Sequence, residues 1–210
     1  MEKGCFGMGI IYNFNGRYSK NQNTNIKKTF LPILACWITS SNNINTTLNS
    51  HLLGKRNGFY IINLNHHIEM LKRILNYSNQ LSTANNSNIL FINNSFNYRF
   101  DGLIKLFSLR CGESYFIGKW VAGYLTKNTT NLAYKTLIVY NPDKAKFLIK
   151  EVNKVGIPMI GLVNINADFF QIMYPLLSNT MNANSMFYIS LILTNSIIEG
   201  KLINHIKTVE

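Results

Sequence analysis

The stretch LIVYNPDKAKFLIKEVNKVGIPMIGLV, residues 137–163, contains two strands and the helix between them. Leu137–Tyr140 is a continuous apolar run of strand length. Lys144–Val155 repeats apolar residues at helical spacing, with Leu148, Ile149, Val152 and Val155 on one face. Gly156 suits the left-handed position that closes a helix, and Pro158 stops the helix and opens the next strand, Pro158–Val163. Strands that are apolar throughout, rather than at alternate residues, are buried on both faces. Such strands are parallel and are joined by crossover helices.

The same alternation extends in both directions. Upstream lie a strand at Phe59–Leu64, a helix at His66–Leu81 with Ile68, Leu71, Ile74 and Leu75 inward, and a strand at Ile89–Ile92. A helix at Phe100–Leu109, a short strand at Tyr115–Ile117 and a helical turn at Trp120–Leu125 follow. Downstream come a short strand near Ile172–Tyr174 and a long apolar helix at Asn182–Glu199. Segments 82–88 and 126–131 read as loops, and no internal repeat is present. Right-handed crossovers then give an α/β fold: a doubly wound, flavodoxin-like (Rossmann-like) parallel sheet with helices on both faces. The 210 residues suffice for one domain at 29–210, preceded by a basic extension at 1–28.

Hydrophobic residues make up 47% of the chain, so it folds. Charged residues are only 14%, about half the usual share. Within that small set, 21 Lys and Arg face 9 acids, for a net +12, which points to a polyanionic partner. The excess leans toward the N-terminus: +6 in residues 1–60, +4 in 61–134 and +2 in 135–210. The extension at 1–28 carries Lys3, Arg17, Lys20, Lys27 and Lys28 among glycines. Its composition is not that of a cleavable presequence. It reads either as a frayed terminus or as an arm ordered by RNA or a neighbouring protein. Asn occurs 31 times and Ile 26 times, a coding bias expected of an A/T-rich genome such as an organelle's. No uninterrupted apolar run reaches the roughly 18 residues of a membrane span.

The chemical tests are negative. Cys5, Cys36 and Cys111 are too scattered for a disulfide framework or a zinc site. The turn after Ile89–Ile92 is Asn93-Asn94-Ser95-Phe96, and the turn after Leu137–Tyr140 is Asn141-Pro142-Asp143. Neither has the glycines of a dinucleotide or phosphate loop. His66 and His67 diverge by about 100° on a helix and read as solvated first-turn residues, while His51 and His205 are isolated. Asp143 fits a first-turn position favoured by the helix dipole. Cys111, beside Arg110, fits a small buried thiol better than an activated one. No catalytic constellation assembles and no cofactor is expected.

Four motifs in order resemble the bacterial and organellar family of small-subunit ribosomal protein two. Lys55-Arg56-Asn57-Gly58 before Ile61-Ile62-Asn63-Leu64 resembles its basic turn and first strand. Tyr115-Phe116-Ile117-Gly118-Lys119-Trp120-Val121-Ala122-Gly123-Tyr124-Leu125-Thr126 resembles its Arg-Trp-Leu-Gly-Gly-Met-Leu-Thr-Asn segment. Glu151, Asn153, Lys154 and Gly156-Ile157-Pro158, with Val163, Asn166 and Asp168, resemble its Glu-Ala-Asn-Lys-Leu-Gly-Ile-Pro entry and loop. Tyr174-Pro175 and Asn179 fit the segment before its last helix. The likeness covers roughly residues 30–200.

The resemblance implies a structural constituent of a small ribosomal subunit, placed at the head–body junction, that binds small-subunit rRNA and neighbouring ribosomal proteins. It implies no enzyme activity, no membrane partner and no homo-oligomer. The candidate RNA contacts are Arg17, Lys20, Lys27, Lys28, Lys55, Arg56, Lys119, Trp120 and Lys127. Trp120 either stacks on RNA or fills the core. The family's helical hairpin is missing, because 127–135 is too short for two helices. Its basic and aromatic motifs are eroded at Cys36–Leu53 and Asn93-Asn94-Ser95. Such erosion, with the coding bias, suggests an organelle-encoded protein of the mitochondrial ribosome. The rival readings are a flavodoxin-like cofactor-binding enzyme and a free RNA-binding protein.

Overall fold

The computed structural model describes residues 38–39, 51–56, 59–84, 87–93, 100–127, 134–142, 145–165, 171–180 and 182–209. The extension at 1–28, most of 36–53, and Asn94, Ser95, Asp143, Asn166 and Asp168 lie outside them. Strands β1 (Ile38–Thr39), β2 (Leu52–Arg56) and β3 (Phe59–Ile62) precede helix α1 (Leu64–Thr83). Next come β4 (Ile89–Asn93), α2 (Asp101–Cys111), β5 (Ser114–Ile117) and the single turn α3 (Tyr124–Lys127). The chain continues through β6 (Thr136–Tyr140), α4 (Lys146–Val155), β7 (Met159–Val163), β8 (Tyr174–Leu177) and α5 (Ala183–Val209).

β4 to β8 form one parallel sheet in the order β5-β4-β6-β7-β8. Counted from β4 this is 2-1-3-4-5, the flavodoxin-like order, with its reversal between β4 and β6. β4, β6 and β7 are buried along their whole length. Strand alternation divides their side chains between two cores. On one face Phe91, Ile138, Tyr140 and Leu162 meet Ile74 of α1, Ile104 of α2 and Leu193 of α5. On the other, Ile92, Val139 and Val163 meet Trp120, Leu125 of α3 and Leu148 and Val152 of α4. Each such aliphatic side chain contributes about 1.5–3 kcal/mol by leaving water. Gly156 closes α4 at φ 79°, its N–H donating to the Val152 carbonyl, as its sequence position predicts.

The strand at Phe59 does not join the parallel sheet. β3 lies between β1 and β2 in a separate antiparallel sheet. Ile62 is buried and Ile61 exposed, the alternation of a strand covered on one face. β2 has no comparable sequence signal, since Gly54 and Lys55 break its pattern. It forms through pairing with β3 across an irregularity between Leu52 and Gly54.

α5 extends to Val209, beyond the expected end near Glu199. Its span Ala183–Thr208 is long and apolar enough to cross a membrane by length and composition, although no uninterrupted run is. Averaged over the helix, its apolar residues outweigh the Thr and Ser interruptions. In this fold Met186, Ile189, Leu193 and Ile197 are core residues, so α5 serves as an internal packing helix. Ser196 Oγ donates to the Leu75 carbonyl of α1 at 2.8 Å. A Cβ on Gly200 would lie 1.9 Å from Ser82 Oγ and 2.6 Å from the Asn79 carbonyl oxygen. Only glycine permits that crossing of α1 and α5.

Two buried polar groups depend on this packing. Glu151, 7% exposed, is the acceptor for a whole loop. One carboxylate oxygen accepts from Trp120 Nε1 at 2.9 Å and Gly123 N at 3.2 Å. The other accepts from Leu125 N at 2.7 Å, Thr126 N at 2.9 Å and Thr126 Oγ1 at 3.3 Å. Burial by itself would raise its pKa, but the Trp120, Thr126, Gly123 and Leu125 donors outweigh it and hold the carboxyl below its ordinary value. The second group is His67, 2% exposed rather than solvated. The start of α1 packs against the end of β8, so the second histidine of the pair turns inward. Both of its ring nitrogens, and Ser178 Oγ, lack hydrogen-bond partners among the described residues. Burial lowers its pKa to about 4, and the nearby Leu177 backbone, short of hydrogen-bonding geometry, offsets this only in part.

Glu151→Ala is expected to lower stability by about 3 kcal/mol in urea unfolding at neutral pH, because buried donors lose their acceptor. The stabilisation from a depressed carboxyl is complete above its ordinary pKa and is lost as pH falls through the native one. The acid-side loss should therefore be smaller in Glu151→Gln than in the wild type.

His67 governs a higher pH window. Its unfolded form takes up a proton near pH 6.5, which the folded form refuses until about pH 4. Stability is thus full above pH 6.5 and falls by about 3 kcal/mol as pH drops to 4. Urea midpoints across this range should show a shallower slope for His67→Leu than for the wild type. Equal slopes would contradict the burial argument.

Candidate nucleic-acid interface

The carboxyl ends of the parallel strands are where a doubly wound sheet usually holds a ligand, at the point where strand order reverses. Here that point lies between β4 and β6, and the described residues there bond to one another. Asn93, fully buried, donates from Nδ2 to Asp101 Oδ1 at 2.5 Å. Its carbonyl accepts from Gly118 N at 3.2 Å. Asp101 lies in the first turn of α2, where a phosphate would need to approach backbone N–H groups. A carboxylate at that place repels an anion. Asn141, at φ 53°, carries the β6 end into Pro142, and its N–H donates to the Leu162 carbonyl at 3.2 Å.

The other chemical candidates remain structural. Cys111 is buried, and its thiol is pushed up to about 12, chiefly by burial. Lys201 and Arg110 draw it down only in part, and Glu113 adds to the rise. His51 is not isolated: its ring meets His66 edge-on at 5.7 Å between centroids. Burial, then the charge of His66, lowers its pKa. Among the described residues no group of three or more His, Cys, Asp or Glu could hold a metal ion.

The basic candidates among the described residues do not form one patch. Lys55, exposed in β2, faces Tyr60 across the antiparallel pair, its Nζ 5.5 Å from the ring centroid. Arg56 ends β2. β3 leads through Asn63 into α1, whose first turn packs near Leu177 at the end of β8. Lys119, also exposed, follows β5, the opposite edge strand. Four interstrand steps of about 4.8 Å put β5 and β8 roughly 19 Å apart along the sheet. Lys127 ends α3 on the α4 face. Arg17, Lys20, Lys27 and Lys28 lie outside the described residues.

Trp120 takes the core alternative. It is 7% exposed, its indole N–H is held by Glu151, and its ring packs edge-on against Phe116 and Tyr124 at 5.0 and 5.2 Å. A ring enclosed this way is not available to stack on RNA, so Trp120 anchors the loop that displays Lys119. Among the other exposed cations, Lys146, Lys150 and Lys154 fall on one helix, α4. Their i, i+4, i+8 spacing was legible within Lys144–Val155, but only that helix's apolar face enters a fold argument.

A family model described as ribosomal protein S2 matches residues 39–136 and 127–200. The small ribosomal subunit protein uS2 of Psychrobacter sp. (strain PRwf-1) is 24% identical over 206 residues, covering 75% of this chain and 77% of that protein. The protein of the same name from Acinetobacter baylyi is 23% identical over 206 residues, covering 75% and 81%. That of Dictyoglomus thermophilum is 35% identical over 65 residues, covering 31% and 26%. Together with the parallel sheet, these matches show that the chain belongs to the bacterial-type ribosomal protein S2 family, structural components of the small ribosomal subunit and not enzymes.

Proposed function

We propose that this chain is the S2-family protein of a mitochondrial small ribosomal subunit, where it braces rRNA and neighbouring ribosomal proteins at the head–body junction. The observation that carries this reading is the match to a ribosomal family over most of the chain, in a protein of net +12. The mitochondrial part is supported by the excess of Asn and Ile, which an A/T-rich organellar genome would produce. It is supported also by the shortened body. α3 ends at Lys127 and β6 begins at Thr136, leaving no room for two helices. The two parts of the family match meet over the same residues, 127–136.

Lys55, Arg56, Lys119 and Lys127 are proposed rRNA contacts of the body, and Arg17, Lys20, Lys27 and Lys28 those of the extension at 1–28. Lysines and arginines set the register of a protein on RNA through phosphates, without reading its sequence. The extension would act as a separate basic arm against rRNA or an adjacent protein, and the rest of the chain as one domain.

Sedimentation of lysed mitochondria through a gradient tests the reading, and the tagged protein should migrate with small subunits. Exclusive migration with free protein, or with a subunit from another compartment, would overturn it. Replacing Lys55 and Arg56 together by Gln should reduce incorporation several-fold while leaving the thermal midpoint of the free chain unchanged. Wild-type incorporation of this variant would remove both residues from the contact surface.

A further inference from the structure

We propose that the outer side of α4, formed by Lys146, Phe147, Lys150 and Lys154 and continued by Lys119, binds an unpaired, single-stranded segment of RNA. The lysines would meet phosphates and Phe147 would stack on a base. This rests on the reading of the chain as an rRNA-binding protein and names a surface for it.

The three lysines are exposed and make no ion pair among the described residues. Steps of four residues place them about 6 Å apart in a row that turns only about 40° per step. Like charges at this spacing repel and weaken the helix, so the row is not explained by α4 stability. The acid of this helix, Glu151, does not relieve the repulsion. It points into the 120–126 loop and is filled by that loop's donors. Among the described residues the only charges on the outward side of α4 are therefore positive.

Phe147 is 75% exposed, more than any other large hydrophobic residue described. A single exposed apolar side chain is ordinary, but this one sits within the lysine row. It also lies one turn before Glu151, and so on the side of α4 that faces the loop carrying Lys119 and the 67%-exposed Val121. An aromatic ring flanked by cations suits a base whose face is free. Bases in a duplex are already stacked on one another, so an unpaired segment is the better fit.

The test titrates the full-length chain with a fluorescent oligouridylate of about twelve nucleotides and with an RNA hairpin of equal phosphate number. Salt is varied over roughly 50–200 mM. Lys146→Gln, Lys150→Gln and Lys154→Gln combined should weaken both probes and lower the salt slope for oligouridylate by about 2. Phe147→Ala should weaken oligouridylate about fivefold or more and leave the hairpin unchanged. Thermal midpoints should not fall below the wild type, since all four side chains are exposed and the lysines repel one another. Unchanged affinity and slope in the triple variant would place the RNA elsewhere, as would a wild-type chain that does not bind oligouridylate. Either result overturns this surface but not the ribosomal reading, which fails only if the protein does not sediment with small subunits. A photocrosslinker at position 147 that captures protein rather than rRNA in assembled subunits would also overturn the proposal, in favour of an acidic protein partner.

Discussion

Burial of β4, β6 and β7 on both faces governs the rest of the molecule. Strands with no solvent face need two covering layers. Parallel strands also need crossovers, so the helices that provide the layers are the same segments that connect the strands. α1, α2 and α5 cover one face, and α3 and α4 cover the other. Polar groups caught between the layers must find partners there. Tyr140, wholly buried, shares a 2.8 Å hydrogen bond with Ser190 of α5. Burial raises its pKa strongly, so it remains a neutral phenol. Tyr77 of α1 reaches Thr136 of β6 at 2.7 Å and stacks on Tyr174 of β8.

The same packing explains how a chain with few charges carries a strong outward field. Several of its acids are spent internally. Glu151 holds the 120–126 loop, and Asp101 holds Asn93. Glu113, nearly buried, accepts from Ile89 N at 2.8 Å and pairs with Lys201 at 2.5 Å. The cations at Lys55, Lys119, Lys146, Lys150 and Lys154 remain exposed. Carboxylates satisfied by interior donors stabilise the fold, while uncompensated amines at the surface attract a polyanion. A role in bracing RNA requires just this division, and it requires no mobile catalytic apparatus.

The loop between β5 and α3 shows how a structural device supports a binding one. Trp120, Phe116 and Tyr124 form an aromatic cluster, and Glu151 ties its polar edges to α4. Lys119, a proposed RNA contact, is therefore carried by a loop tied to α4, and a tethered loop has less ordering entropy to lose on binding.

Local pattern located the elements of the parallel sheet, although the last strand, expected near Ile172–Tyr174, forms at Tyr174–Leu177. Helical and strand periodicities follow from the fixed geometry of the backbone, and Gly156 and Pro158 mark a helix end through their own dihedral limits. The fold class and the helix expected at Lys144–Val155, which forms from Lys146, were legible in single stretches of residues. Partners distant in the chain were not. Whether Trp120 faces RNA or core depends on Glu151, 31 residues away. Whether His67 is solvated depends on β8, more than a hundred residues downstream. The separate sheet of β1, β2 and β3 depends on pairings that no alternation announces. The cationic row on α4 lies in the third of the chain with the smallest net charge, so net charge by segment did not point to it. Sequence alone determined most helices and strands of the parallel sheet and that the chain is basic, since both follow from nearest-neighbour geometry and composition. Only the tertiary structure decided which polar groups are consumed inside and which charges face outward, because burial depends on what the rest of the chain brings to each site.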